Sequence, residues 1–198
     1  MSLTFKEEVE LINKKKGQII GMSLKKDREF VLEKKGREGL KRVEEEMEKF
    51  GYSLKYEQII NYKWYPVQLD PLFLLVAKKT FHWNDKMMRE WGCWAAKTHF
   101  LAKIMAKFFV SKKKFEKTGA ATRFWRKYYT QGFLMVHFDD RNRCGTVEIR
   151  DFLVTPIHCC YLEGYFSQIA SLVILSSKLK IEETPAGEKN TFRFKITW

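Results

Sequence analysis

The chain is poor in the residues that staple or punctuate a fold. Four cysteines among 198 residues do not make a disulfide scaffold, and only four prolines interrupt the sequence. No Cys-x2-Cys pair occurs: Cys93 and Cys144 stand alone, while Cys159 and Cys160 are adjacent. Neighbours in a helix point about 100° apart, a poor start for a tetrahedral zinc site, so no metal is expected. Long apolar runs are missing too. The late uncharged stretch from Gly164 to Ser177 covers 14 residues, short of the ~20 that a membrane crossing needs. The opening MSLTFKEEVELI carries three acids where a secretion signal would place cations ahead of an apolar core. A cytoplasmic protein without a membrane span is the expectation.

Catalytic patterns are equally scarce. A phosphate loop needs clustered glycines between strand and helix, which Gly36, Gly39 and Gly119 do not supply. A cysteine nucleophile needs a histidine within reach, yet His158 beside Cys159, and His99 six residues after Cys93, would sit on other faces of their helices. Asp139, Asp140, Glu148 and Asp151 gather around one hairpin turn with arginines nearby, as a solvated turn does. The chain reads as non-enzymatic, with no catalytic residue and no cofactor assigned.

What the chain does have is positive charge and rings. Against 24 acids stand 37 Lys and Arg, a net +13. Residues 1–60 contribute +2, residues 131–198 nothing, and residues 61–130 contribute +11. A field of that kind attracts nucleic acid, an acidic protein or anionic lipid, and it is equally the mark of a lysine-rich solvated face. With 45% hydrophobic residues and 30 aromatics, one sizeable core is within reach and low-complexity disorder is excluded. The length suits a single domain, 1–198, in which residues 1–20 make a peripheral segment.

Patterning supplies the order of elements. Apolar positions Val31 or Leu32, Leu40, Val43, Met47 and Phe50 recur at helical steps over 26–50, weakened by Gly36 and Gly39 and stopped at Gly51. A loop follows through Tyr62–Pro66, and Asp70-Pro71 reads as an N-cap with proline at the first helical position. Met87, Met88, Trp91, Trp94, Ala95, Leu101, Met105 and Phe108 keep helical period across Asp85–Val110, and Lys112–Tyr129 reads as a further helix. After Gly132 the period becomes two. Leu134, Val136 and Phe138, then Val147, Ile149 and Leu153, make a hairpin. An apolar helix over Ile157–Leu175 leads to strands beginning at Leu179 and covering Phe192–Trp198. The expected fold is α+β. A helical layer over 26–130 packs on a twisted four-stranded antiparallel sheet, and residues 131–198 run β-β-α-β-β.

Two constellations carry candidate chemistry. Arg123, Trp125, Arg126 and Lys127 interleave cations with rings, as surfaces that grip single-stranded nucleic acid do; an amphipathic helix with its rings in the core has the same sequence. Trp91, Trp94, His99, Phe100 and Met105 on the long helix could wall an apolar pocket with one polar group, or be ordinary core.

The run Cys160-Tyr161-Leu162-Glu163-Gly164-Tyr165-Phe166, the apolar helix it opens, and the closing segments Leu179–Glu183 and Phe192–Trp198 resemble the end of the 4-vinyl reductase-like domains. Their relatives are the haem nitric-oxide-binding sensors and the core subunits of the TRAPP trafficking complex. The resemblance implies a helical layer over a twisted sheet, dimerisation through helices, and a pocket for an aromatic compound, haem or an acyl chain. It adds Tyr161 and Tyr165, four apart on one face, as residues that close the pocket. Some of these relatives hold zinc through a cysteine before the Gly-Tyr helix, which Cys159 or Cys160 would match, but the final hairpin here lacks the cysteines. No histidine stands in a recognisable haem motif. The expectation is a ligand-binding sensor that forms a homodimer, as the resemblance implies, with a small aromatic or acyl ligand and no cofactor. A nucleic-acid-binding protein using 61–130, or an adaptor for an acidic partner, are the alternatives.

Overall fold

The computed structural model describes residues 3–53, 55–98, 119–172, 174, 179–184 and 190–198. A reciprocal cap opens it. Thr4 Oγ1 accepts the Glu7 amide, and the Glu7 carboxylate accepts the Thr4 amide, satisfying backbone donors at the start of helix α1, Phe5–Asn13. Ile12, Lys15 and Ile19 are buried. Of the N-terminal segment expected at the periphery, the described residues Val9, Ile12, Lys15 and Ile19 reach the core while Leu3, Lys6, Lys14 and Lys16 stay exposed.

Strand β1, Gln18–Ile20, pairs antiparallel with β2, Trp64–Pro66, where a loop is expected. Three residues are too few for alternation to show in a sequence, so only the partner reveals the pairing. Helix α2, Gly21–Glu48, carries a kink at Gly36, whose φ of 66° and ψ of −171° interrupt the helical backbone, and the chain turns out at Gly51 with φ +84°. Helix α3, Leu69–Thr80, begins a residue before the expected cap. Asp70 is not the cap: it lies in the first turn with its side chain buried, held by tertiary partners described below.

Helix α4, Asp85–Thr98, starts where Asn84 Oδ1 accepts the Met87 amide. The remainder of the expected Asp85–Val110 helix, with His99, Phe100 and Met105, and the first part of the Lys112–Tyr129 helix lie outside the described residues. Of the latter, residues 119–129 are described: helix α5 covers Ala120–Trp125, and the chain leaves the helix before the expected end at Tyr129.

The C-terminal half follows its period-two pattern. Strands β3, Phe133–Asp139, and β4, Cys144–Arg150, precede helix α6, Pro156–Ser171, and strands β5, Lys180–Thr184, and β6, Phe192–Thr197, follow it. The sheet is antiparallel throughout in the order β3-β4-β6-β5, and the fold is α+β as expected. Leu134, Val136, Val147, Ile149, Phe194 and Ile196 form the buried face, while Met135, His137 and Lys195 face out. Phe166 of α6 meets Phe194 of β6 with ring centroids 5.6 Å apart, tying helix to sheet. Among the described residues no helix is long and apolar enough to cross a membrane.

Candidate functional site

Helix α6 is apolar along most of its length, so its few polar side chains mark where something other than packing is happening. Pro156 fixes its first turn, and Ile157 N donates to Glu8 Oε1 of α1 at 2.6 Å, an acid placed against the positive end of the helix. The next residue, His158, is fully buried. Its Nδ1 lies 3.3 Å from Lys15 Nζ and its Nε2 lies 3.3 Å from Asp70 Oδ2. Burial, with the nearby Lys15 charge, holds the imidazole neutral, its pKa well below the ordinary value.

The network continues on both sides. Lys15 Nζ donates to Leu153 O at 2.7 Å and sits over the Phe152 ring, 4.1 Å from its centre. Tyr129 Oη donates to Asp70 Oδ2 at 3.2 Å. Beside Asp70 stands Asp27 of α2, 1% exposed. Burial pushes the Asp27 carboxyl well above the usual carboxylate range, and the neighbouring Asp70 adds to the effect. Asp70 is also raised, chiefly by burial, with Lys15, Asp27 and Tyr129 pulling the other way. Two carboxyls this close in a low dielectric do not both ionise readily, and of the two Asp27 is lifted further.

A cavity of about 40 Å³ opens against these carboxyls. Its walls come from Ser23 and Asp27 of α2, Phe124 and Trp125 of α5, Tyr128 and Tyr129 just beyond, Leu134 of β3, and the Tyr161, Leu162, Tyr165 and Phe166 stretch of α6. Tyr161 and Tyr165 stack with ring centroids 6.4 Å apart, and Trp125 stacks on Tyr129 at 4.3 Å. The site is a box of rings with an acid pair at one end.

The residues singled out in the sequence fall in three places. Tyr161 and Tyr165 line this cavity. Trp91 is fully buried elsewhere, stacked 4.7 Å from Phe30 and edge-on to Phe73 and Trp83. Trp94 is half-buried, and its Nε1 donates to Glu33 Oε2 at 2.8 Å. Both belong to an aromatic seam between α2 and α4. Of the cation-and-ring set, Trp125 turns inward and donates to Gln131 O at 2.8 Å, whereas Arg123, Arg126 and Lys127 are exposed. Rings and cations thus part to opposite faces. Sequence reasoning missed Asp27, Asp70, Lys15, Tyr129 and His158. The one signal available was an acid or histidine in apolar company, at Asp70 and His158; for Lys15, inside a Lys-Lys-Lys run, and Asp27, inside Lys-Lys-Asp-Arg-Glu, there was none.

Cys159 donates to Glu183 Oε2 at 3.1 Å, and burial and that acid raise its thiol pKa. Among the described residues no group of three or more His, Cys, Asp or Glu is placed to hold a metal.

No family model matches the chain, and no curated protein matches it. Solved structures do. A structure described as probing heme distortion in the H-NOX family superposes at TM-score 0.62 with 12% identity, over 91% of this chain and 95% of that one. A variant H-NOX domain of T. tengcongensis gives 0.63 at 13% identity, over 90% and 97%. An oxygen-binding H-NOX domain related to soluble guanylate cyclases, as its oxygen complex, gives 0.55 at 13% identity, over 89% and 91%. At such identity the likeness is one of fold.

Haem, the group named with that fold, does not fit the described residues. Ligand pockets run to roughly 300–1,000 Å³, against about 40 Å³ here. Of the described histidines, His82 and His137 are exposed and line no part of the cavity, while both ring nitrogens of His158 face Lys15 and Asp70.

Proposed function

We propose that the chain is a non-enzymatic ligand-binding domain of the sensor type, whose ligand sits between α2, α5, α6 and β3. The observation that supports this reading is the cavity itself: stacked tyrosine and tryptophan rings on several sides and buried carboxyls at one end, in a fold shared with an oxygen-binding domain. Apolar walls with a few convergent polar groups are how small-molecule sites are built. The space admits a molecule of only a few heavy atoms, since a single water needs on the order of 10–15 Å³ of it. An aromatic ring or acyl end requires α5 to move away from α6. That helix is six residues long and is preceded by Gly119, in the left-handed region with φ 60°.

Thermal-shift and native mass-spectrometry screens of the full chain with small amines, phenols, short acyl compounds and haem test the reading. The expected result is a stabilising small compound whose binding changes tyrosine and tryptophan fluorescence. A stoichiometric haem complex with a Soret band, or no binder of any class, would overturn it.

A further inference from the structure

The polar end of the cavity carries more than apolar binding would use. Asp27 is 1% exposed and Asp70 2%, and both line the space. Asp70 is occupied by Tyr129 and by the Asp27 carboxyl, with His158 close by. Oδ1 of Asp27, in contrast, is buried without a hydrogen-bond partner. Leaving such an oxygen unsatisfied is costly, and a ligand bearing an N–H or a positive charge would remove that cost. The walls point the same way. The faces of Trp125, Tyr129, Tyr161 and Tyr165 carry the negative side of the ring quadrupole, which attracts organic cations. A hard metal ion would want about six or more oxygen ligands, and this set of donors is too small and too aromatic for one.

We infer that the cavity is a site for a small alkylammonium ion, its nitrogen against the carboxyl oxygens of Asp27 and Asp70 and its alkyl groups against the tyrosine and tryptophan rings. The inference rests on the ligand-binding reading above and names the ligand class for that same cavity.

Charge balance makes the binding an exchange. Facing the two acids are Lys15 from the turn after α1, Tyr56 from the short 3-10 turn Tyr56–Gln58, Tyr129 beyond α5, and His158 and Tyr161 on α6. His158 is held neutral and the tyrosines keep their protons, which leaves Asp27 and Lys15 as groups able to give one up, and of these Asp27 is the one that lines the cavity. As the ammonium ion enters, the Asp27 O–H bond breaks, its proton leaves to water, and the new carboxylate balances the cation. No electrons move, and the net charge of the site is unchanged.

Isothermal titration of the full chain with methylammonium and trimethylammonium chloride, in two buffers of different ionisation enthalpy, tests this beside the neutral tert-butanol. The expected result is release of about one proton per ammonium ion bound, and an affinity that rises roughly tenfold per pH unit while Asp27 stays protonated. Binding of tert-butanol should be at least about tenfold weaker, a difference well within what one charge contact supplies. Asp27→Asn, of the same size, should melt cooperatively, release no proton and lose at least about tenfold in ammonium affinity. The wild-type pH series gives the same answer without a variant. If tert-butanol binds as well as the ammonium ions and no proton is released, the cation inference is wrong while the ligand-binding reading stands. If neither class binds, both fall.

Discussion

Lys15 shows how differently one residue type behaves on the two sides of a surface. It sits within Lys14-Lys15-Lys16, yet it alone of the three is buried, its Nζ against Leu153 O and His158. Burial outweighs the attraction of Asp70 and brings its pKa down to about 7 from 10.5. Between those two values the unfolded chain binds a proton that the folded chain does not. Stability therefore rises as pH goes from about 7 to about 10.5. Melting temperature followed across that window should climb more steeply in the wild type than in Lys15→Met; equal slopes would remove Lys15 as the cause. Asp70 makes a related point. Ahead of a proline it reads as a cap, but Tyr129 and His158, distant in sequence, claim its carboxylate. Local chemistry was legible at both positions, and the partner that redirected it was not.

At the scale of elements, the crossing of α4 and α6 decides how close the core can be. A Cβ on Gly92 would stand 1.9 Å from Tyr161 O, and one on Gly164 would stand 1.9 Å from Arg89 O. Each helix presents a glycine to the backbone of the other, and Cys93 Sγ donates to Gly164 O at 3.2 Å across the same contact. Arg89 and Glu163 pair at its edge at 2.8 Å. Gly164→Ala should cost about 3 kcal/mol or more, because backbone cannot yield as a side chain can. Chemical denaturation measures this, and a loss under about 1 kcal/mol would show that the helices slide apart cheaply. The helical period of both segments is visible in the sequence; the glycine contact between them is not. The same holds for strands. β3, β4 and β6 declare themselves by alternation, whereas β1 and β2, three residues each, exist only as a pair.

For the whole molecule, residues 61–130 carry a net +11, and the described cations at the end of that segment face out. On α5 and just after it, Arg123, Arg126 and Lys127 are exposed while Trp125, Tyr128 and Tyr129 are buried. Inward rings offer no platform for bases, so any nucleic-acid retention should come from phosphate contacts alone. Gel shifts with single-stranded DNA should show affinity collapsing by orders of magnitude between about 50 and 200 mM salt, without sequence preference. Salt-resistant binding would instead require exposed rings. Periodicity was enough for the sequence alone to determine the α+β class, the β-β-α-β-β tail and the place of Tyr161 and Tyr165 on one face, because hydrophobic spacing is a property of neighbours along the chain. Which acids, which lysine and which histidine meet at the cavity was decided only by the tertiary structure. Residues 15, 27, 70, 129 and 158 lie on separate elements, and their protonation follows from the water that folding takes away from them.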